Sequence, residues 1–343
     1  MSRPRVSVII VNWNGREHLP ICLDSLARQT FHDFETILVD NGSQDGSQEL
    51  IRKSYPWVRL VELPVNTGFS GGNNEGLRHA AGEYIVVLNN DTEAEPDWLV
   101  ELVRVADANP RAGQVGCRIC AMDDHDRIDS LGHGVCADGM TRGRYRLRRW
   151  SEIKGEFAPV QEMFFGTACV SLYRRAALDE AGFYDDDMFA IGEDSDLGLR
   201  LRWYGWDAFL ATEAVVYHKY SATSGVFSPF KLYLVERNHY WVAIKNFPAS
   251  MLMMVPFFTC ARYLVQAKVV LNGAGSGGEF ATSRSPWALV GALLKGSWDA
   301  LLGVPAMWRK RRLIMASARR TPAEMTALYR RYRMTFAELL DIA

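Results

Sequence analysis

The chain has 343 residues, of which 48% are hydrophobic and 23% charged, and its formal net charge is −1. Such a composition fills a real core and excludes a disordered or fibrous chain, while the length allows one large domain or a catalytic domain with an appendage. The near-zero net charge conceals an asymmetry: residues 1–218 carry 22 basic against 34 acidic side chains and residues 219–343 carry 17 against 6, which predicts two regions with different partners.

The opening, MSRPRVSVIIVNWNG, passes from two arginines into a β-branched strand without the longer apolar region and cleavage site of a secretory signal. A cytoplasmic protein with reduced thiols is expected. Residues 6–11 form that strand, closed by Asn12, Asn14 and Gly15, and residues 17–28 set Leu19, Cys22, Leu23 and Leu26 on one helical face. The alternation repeats with strand 35–39, helix 47–53, strand 58–63, helix 72–81, strand 84–88 and helix 97–108. Short, nearly all-apolar strands joined by amphipathic helices predict a mostly parallel sheet covered on both faces. Ligands bind such sheets at the carboxyl ends of the strands. Asn12 and Asn14 follow the first strand, Asp40 ends the second, Asn66 follows the third, and Asn89, Asn90 and Asp91 end the fourth. Four polar strand ends at one edge predict a site.

Beyond Asn109 the pattern loosens into Gly-rich and charged loops, with Arg142, Arg144, Arg146, Arg148 and Arg149 bunched before Trp150. That cluster reads either as a basic cover for phosphates or as a solvated loop. Cys117 and Cys120, a single CxxC in a stretch that reads as a strand, are taken as core thiols rather than a zinc site. An apolar strand over 163–173 is interrupted by Gly166 and Thr167 and leads into helix 175–181. Gly192, Glu193 and Asp194 open a helix running to about residue 204, and strands 208–211 and 215–218 close the region.

Asp40, before Asn41 and Gly42, can accept hydrogen bonds from a pyrimidine ring or a ribose, while Gly42 lets the backbone approach a nucleotide; an Asx turn is the alternative. NTGFSGGNNEG lacks the Gly-Lys-Ser/Thr ending of a phosphate loop and does not fit GxGxxG, yet Gly71 and Gly72 at a helix start can offer N–H groups to an anion. Asp91, just past a buried strand, is placed to hold a hard divalent cation with diphosphate oxygens, the helix-capping role belonging better to Asp97. Glu193, Asp194 and Asp196 lie at a helix N-terminus, where the dipole favours the ionised form that a general base needs. Asp194 is the expected base, with Asp196 orienting, although Asp194 or Ser195 also suits an N-cap. His218 either completes a metal shell or is an ordinary partly buried histidine.

SVIIVNWNG, VDNGSQDGS, NTGFSGGNNEG, LNND, FFGTACVSLYRRAAL and GEDSDLGLRLRWYG, in this order, resemble the inverting GT-A glycosyltransferases of family 2, especially the bacterial rhamnosyltransferase-like branch, over about residues 6–221. The resemblance implies an α/β GT-A fold with a catalytic domain at 1–221, its donor half near 1–110 and its acceptor half near 111–221. It assigns Asn12, Asn14, Asp40, Gly42, Asn66, Gly72, Asn74, Asn89 and Asn90 to the donor, with Asp40 on the base. Asp91 and His218 fall to the metal, Mg2+ or Mn2+. Asp194 becomes the catalytic base with Glu193 beside it, and Phe165, Gly166, Thr167 and Asp196 fall to the acceptor. Where such enzymes carry Asp-x-Asp, this chain reads Asn89-Asn90-Asp91, which implies weak or shared metal coordination. The implied reaction moves a sugar from a nucleotide-diphosphate donor, dTDP-rhamnose or a UDP-sugar, to a saccharide or polyprenyl-linked saccharide in cell-surface polysaccharide assembly; no nucleic acid is expected as partner. The rival classes are a nucleotide-sugar-binding protein without turnover and a sugar nucleotidyltransferase, whose Gly- and Lys-rich triphosphate loop is missing from the sequence.

From Lys219 the composition turns aromatic, Met-rich and basic. Residues 249–271 are apolar but interrupted by Pro256, Arg262, Gln266 and Lys268, which disfavours a simple membrane span and fits an interfacial helix. Residues 286–308 repeat the mixture and end in Arg309, Lys310, Arg311 and Arg312, a cluster suited to anionic headgroups. A helical region over 222–343 is expected, peripheral on the inner face of the cell membrane or packed as a small domain with a solvated basic face.

Overall fold

The computed structural model describes residues 3–219, 228–271 and 286–340. The first half follows the predicted alternation: β1 (Val6–Asn12), α1 (Leu19–Ala27), β2 (Phe34–Asp40), α2 (Ser47–Ser54), β3 (Arg59–Glu62), α3 (Gly68–His79), β4 (Tyr84–Leu88), β5 (Thr92–Ala94) and α4 (Trp98–Ala108). Then come β6 (Ala112–Ala121), β7 (Ile128–Ser130), β8 (His133–Val135), β9 (Thr141–Gly143), α5 (Trp150–Ile153), β10 (Val160–Glu162), β11 (Val170–Arg174), α6 (Arg175–Ala181), α7 (Glu193–Trp203) and β12 (Asp207–His218).

The main sheet runs β10-β12-β6-β11-β4-β1-β2-β3. β1 pairs in parallel with β2 and β4, β2 with β3, and β6 with β12. β11 lies antiparallel between β4 and β6. Alternate residues of β1 feed opposite cores: Val6, Val8 and Ile10 meet α1 and α4 on one face, while Ile9 joins Ile85, Val87 and Tyr173 under α6 and α7 on the other. Burial on both faces is why these strands read as continuous apolar runs.

Three departures from the sequence reading have local causes. α3 begins at Gly68, four residues before the predicted start at 72. Its glycines are poor helix formers, but a Cβ at Gly72 would stand 2.7 Å from Val11 and one at Gly76 2.4 Å from Ile9, so close packing on the sheet outweighs propensity. β6, of which the sequence showed only the strand-like stretch around Cys117 and Cys120 amid looser loops, is a central ten-residue strand. Its Gly113 and Gly116 leave space filled by Trp206 and Met163, and its Gln114 bonds to Gly166, Ser171 and Tyr173, which hides the apolar period. Of the predicted 163–173 strand only the end is strand, β11 from Val170, the rest being the loop that follows β10, and the predicted 208–211 and 215–218 strands are one, β12, with a register shift between Ala211 and Val215.

The chain divides into two compact units: Met1–His133, Gly143–Leu201 and Trp206–Thr223 form the first, and Gly134–Arg142, Arg202–Gly205 and Ser224–Ala343 the second. The boundary expected at residues 221/222 lies outside the described residues. The second unit contains α8 (Pro229–Asn246), α9 (Ala249–Leu252), α10 (Val255–Leu271), α11 (Pro286–Ala316), α12 (Pro322–Arg331) and α13 (Phe336–Leu339). α11 packs on α8 through Gly296 and Gly303, where a Cβ would stand 2.9 Å from the Tyr233 carbonyl and 2.6 Å from the Trp241 ring. Inside this unit Arg262 is buried between Asp138, at 2.5 Å, and Glu236, at 3.1 Å.

Candidate active site

The carboxyl ends of β1, β2 and β4 are tied by a chain of side-chain hydrogen bonds. Asn90 donates to Asn12 Oδ1 at 2.8 Å, and Asn12 donates to Asp40 Oδ2 and Ser43 Oγ, both at 3.2 Å. Asp40 Oδ1 accepts from Gln48 at 2.7 Å and from the Ser43 backbone at 3.0 Å. A buried carboxylate needs such partners; as placed, Asp40 holds the 41–48 loop and is 0% exposed. Asn14, at φ 50, accepts from the Gln44 backbone and braces the same loop. Between Asn12 and Asn14 the Trp13 indole is 42% exposed at the strand end.

Beside this network a cavity of about 550 Å³ is lined by Asp91, His218, Asp129, Arg146, Arg127 and Lys219 among others. Asp91 follows β4, and His218 closes β12, which pairs with β5. His218 Nε2 lies 3.4 Å from Asp91 Oδ1, and its Nδ1 meets Asp129 Oδ2 at 2.8 Å. Burial disfavours a charged His218 ring, but Cys169, Asp129 and Asp91 outweigh it and hold the imidazole well above its ordinary pKa. Asp91 Oδ1 and Asn89 Oδ1 are buried and accept no hydrogen bond among the described residues. An Asn89 oxygen without a donor beside an Asp91 oxygen faced by the His218 ring at 3.4 Å suits a hard divalent cation. Among the described residues no three His, Cys, Asp or Glu side chains converge as a complete site, so such an ion would draw further oxygens from a bound diphosphate.

Glu193 and Asp194 open α7 after a loop with positive φ at Phe189, Ile191 and Gly192. A β-branched residue at φ 68 is costly, and such outliers gather at functional sites. Asp194 is fixed on both oxygens: Oδ1 accepts from the Ser195 backbone at 2.6 Å, and Oδ2 accepts from the Ala168 backbone at 3.1 Å. His133 Nδ1 lies 3.7 Å from Asp194 Oδ2, within ion-pair reach but beyond a hydrogen bond. Glu193 behaves differently. Burial, reinforced by the charge of Asp194, raises its pKa to about 8, so at neutral pH Glu193 carries a proton. Its Oε2 is buried and meets no hydrogen-bond partner among the described residues, so the two adjacent acids sit in different surroundings.

Several expected ligand residues hold the frame instead. Asp196 is fully buried and paired with Arg200 at 2.9 Å, which also caps carbonyls of residues 181–183, so it does not face an acceptor. Phe165 and Gly166 are buried, Phe165 against Gly198 of α7 and Gly166 against Gln114 and Ser171. With half-buried Thr167, whose hydroxyl accepts from the Cys169 backbone, they shape the loop that offers Ala168 N–H to Asp194. Gly72 lies inside α3 against Val11, away from its N-terminus. Asn74 grips the 184–186 turn through the Tyr184 backbone and Asp186. Gly42, at φ 78, makes room for the Val65 backbone, and Asn66 accepts from Gly68 N–H and Asn41. The arginine cluster is largely engaged: Arg146 faces Asp129, and Arg149 faces Asp124 and Asp126. Sequence reasoning missed Asp129, His133 and Trp13. The first two sit in the segment read as loops; Trp13 was legible as a large aromatic at a strand end.

A family model described as Glycosyl transferase family 2 matches residues 7–182. Among curated proteins, the chain is 31% identical over 235 residues to the O-antigen biosynthesis protein RfbC of Myxococcus xanthus, covering 64% of this chain but only 18% of that protein. It is 29% identical over 238 residues to an N-acetylglucosaminyl-diphospho-decaprenol L-rhamnosyltransferase of Mycobacterium tuberculosis, covering 63% of this chain and 76% of that one. Among solved structures, S. aureus TarS 1-349 in complex with UDP superposes with a TM-score of 0.53 at 17% identity, over 95% of this chain and 91% of that chain. GalNAc-T7 with UDP, GalNAc and Mn2+ superposes at 0.57 and 15% identity, over 73% and 49%. These likenesses carry the GT-A fold, and with a family match over more than half its length the chain belongs to glycosyl transferase family 2.

Proposed function

We propose that the chain is an inverting glycosyltransferase that moves a sugar from a nucleoside diphosphate to a hydroxyl of a saccharide acceptor. The carrying observation is the pair at the start of α7: Asp194, aimed by Ser195 and Ala168 N–H groups, beside a protonated Glu193. Asp194 takes the proton of the acceptor hydroxyl. The oxygen then bonds to the anomeric carbon from the face opposite the diphosphate, whose bond to that carbon breaks; the anomeric centre inverts. A divalent cation, Mg2+ or Mn2+, held by Asp91 with His218 beside it supplies charge for the departing diphosphate. Arg127, Arg146 and Lys219 add cations to the same cavity. Trp13 offers an exposed face on which a base can stack. The relative named as an N-acetylglucosaminyl-diphospho-decaprenol L-rhamnosyltransferase supports transfer of rhamnose to a polyprenyl-diphosphate-linked saccharide; as donor we take dTDP-rhamnose first and UDP-sugars next, in cell-surface polysaccharide assembly.

Asp194→Asn tests the reading. Release of nucleoside diphosphate should fall by about 10²–10⁴-fold, while calorimetric binding of the nucleoside diphosphate stays near wild type. Retained turnover removes Asp194 as base. A wild type that releases nothing from a panel of dTDP-, UDP- and GDP-sugars with Mn2+ or Mg2+ leaves a binding protein, and release of pyrophosphate would mark a nucleotidyltransferase.

An acceptor carried on a lipid calls for work at the cytoplasmic face of the membrane. Among the described residues one helix, Trp287–Ala316, is long and apolar enough by length and composition to cross a bilayer. One side of it packs on α8 through Gly296, Ala300 and Gly303, and Met307 and Ile314 are also buried, while Trp287, Leu294, Trp298, Leu301 and Leu302 are exposed. Two-sided use of this kind, ending in Arg309, Lys310 and Arg312, supports an interfacial helix over a spanning one.

A further inference from the structure

The second unit contains a cavity that neither the catalytic chemistry nor the fold accounts for. It measures about 290 Å³ and lies among α9, α10 and α12, with Met251, Met254, Phe258 and Tyr329 along its wall and Arg330 and Arg333 also lining it. No carboxylate lines it. Arg330 and Arg333 are exposed, and neither guanidinium has an acidic partner within salt-bridge distance among the described residues. An apolar slot flanked by two uncompensated cations is complementary to an amphiphile with an anionic head, and methionine adapts to a flexible chain. The surroundings continue the pattern. Phe257 and Leu264, seven residues apart on one face of α10, are 65% and 74% exposed, and Met253 in the turn before that helix is 76% exposed. A chain leaving the slot would therefore pass onto an apolar surface.

We propose that this cavity holds one anionic phospholipid of the bilayer, its phosphate on Arg330 and Arg333 and part of one acyl chain along Met251, Met254 and Phe258. The assignment rests on the membrane reading given above and adds to it a defined lipid site. Attraction by surface charge alone is worth about fivefold per cation near a lipid surface, about 30-fold for two, and is shared by any basic residue facing the bilayer. A built slot also depends on its shape.

The experiment uses the full chain, with flotation on dioleoylphosphatidylglycerol or dioleoylphosphatidylcholine vesicles and native mass spectrometry of the protein recovered in detergent. The wild type should float with the anionic vesicles and retain one phosphatidylglycerol per chain. Arg330→Gln/Arg333→Gln and Arg309→Gln/Arg312→Gln lose the same charge, and each should weaken flotation by about 30-fold, but only the first pair should lose the retained lipid. Met251→Trp fills the slot without changing charge and should also lose it, with circular dichroism reporting its fold; should that variant misfold, the exposed arginine pairs still decide. Absence of flotation overturns the membrane reading and the site with it. Flotation without a retained lipid overturns the site alone, as does equal retention in both arginine pairs, full displacement by inorganic phosphate, or preference for an isoprenoid phosphate over the phospholipid.

Discussion

Glu193→Gln separates the two acids at the head of α7. In the folded protein Glu193 keeps its proton up to about pH 8, against an ordinary value of 4.5. Because the folded-state value is raised, the native state binds the extra proton. Its relative stability is greatest below pH 4.5 and declines as pH rises to about 8. The decline is roughly 1 to 2 kcal/mol for each pH unit, about 5 kcal/mol over the window. Glutamine is neutral throughout and removes this dependence. Any cost of placing its amide where Glu193 Oε2 has no hydrogen-bond partner is the same at every pH and cancels in the comparison. Urea unfolding of both proteins at pH 5, 6, 7 and 8 should show the variant gaining on wild type at each step, by about 4 kcal/mol between the ends. Turnover at pH 7 should survive, since a group already protonated is not the base. A stability difference that stays level with pH refutes the buried, protonated Glu193, and a loss of about 10²–10⁴-fold in turnover moves the base from Asp194 to Glu193.

Asp129→Asn removes the carboxylate that fixes the His218 ring, and Mn2+ affinity in the presence of a nucleoside diphosphate, read by electron paramagnetic resonance, should fall by about 10–100-fold; unchanged affinity would leave Asp129 a structural partner only. Arg262→Met strands Asp138 and Glu236 in the second unit without their shared cation and should cost about 3–5 kcal/mol in chemical denaturation. A loss no larger than that of a surface substitution, about 0.5 kcal/mol, would mean that the two acids find other partners or water.

Four strand ends at one edge were legible because each lies in a short segment whose own period announces a buried strand. Asn12, Asp40, Asn90 and Asp91 do come together at the ends of β1, β2 and β4. Their orientation was not legible. The network turns Asp40 inward onto Gln48 and Ser43, because a buried carboxylate must find donors and those of its own loop are nearest. The glycines of NTGFSGGNNEG suggested an anion loop, whereas Gly72 and Gly76 serve the approach of α3 to Val11 and Ile9. Of β6 only the stretch around Cys117 and Cys120 was legible as a strand, because Gly113, Gln114 and Gly116 break its alternation, and the groups that complement them, among them Trp206, Met163, Ser171 and Tyr173, lie far along the chain.

The family, the βα order, the strand-end position of Asp91 and the helix-start position of Asp194 came from the sequence alone, since local period and ordered motifs are properties of contiguous residues. Which acid keeps a proton, which aspartate is locked to Arg200, and that His218 stands between Asp91 and Asp129 were decided only by the tertiary structure. Each of these depends on burial or on a partner brought close by folding, across 89 residues in the case of Asp129 and His218. Electrostatic roles follow from the surroundings, and those surroundings exist only once the sheet has assembled.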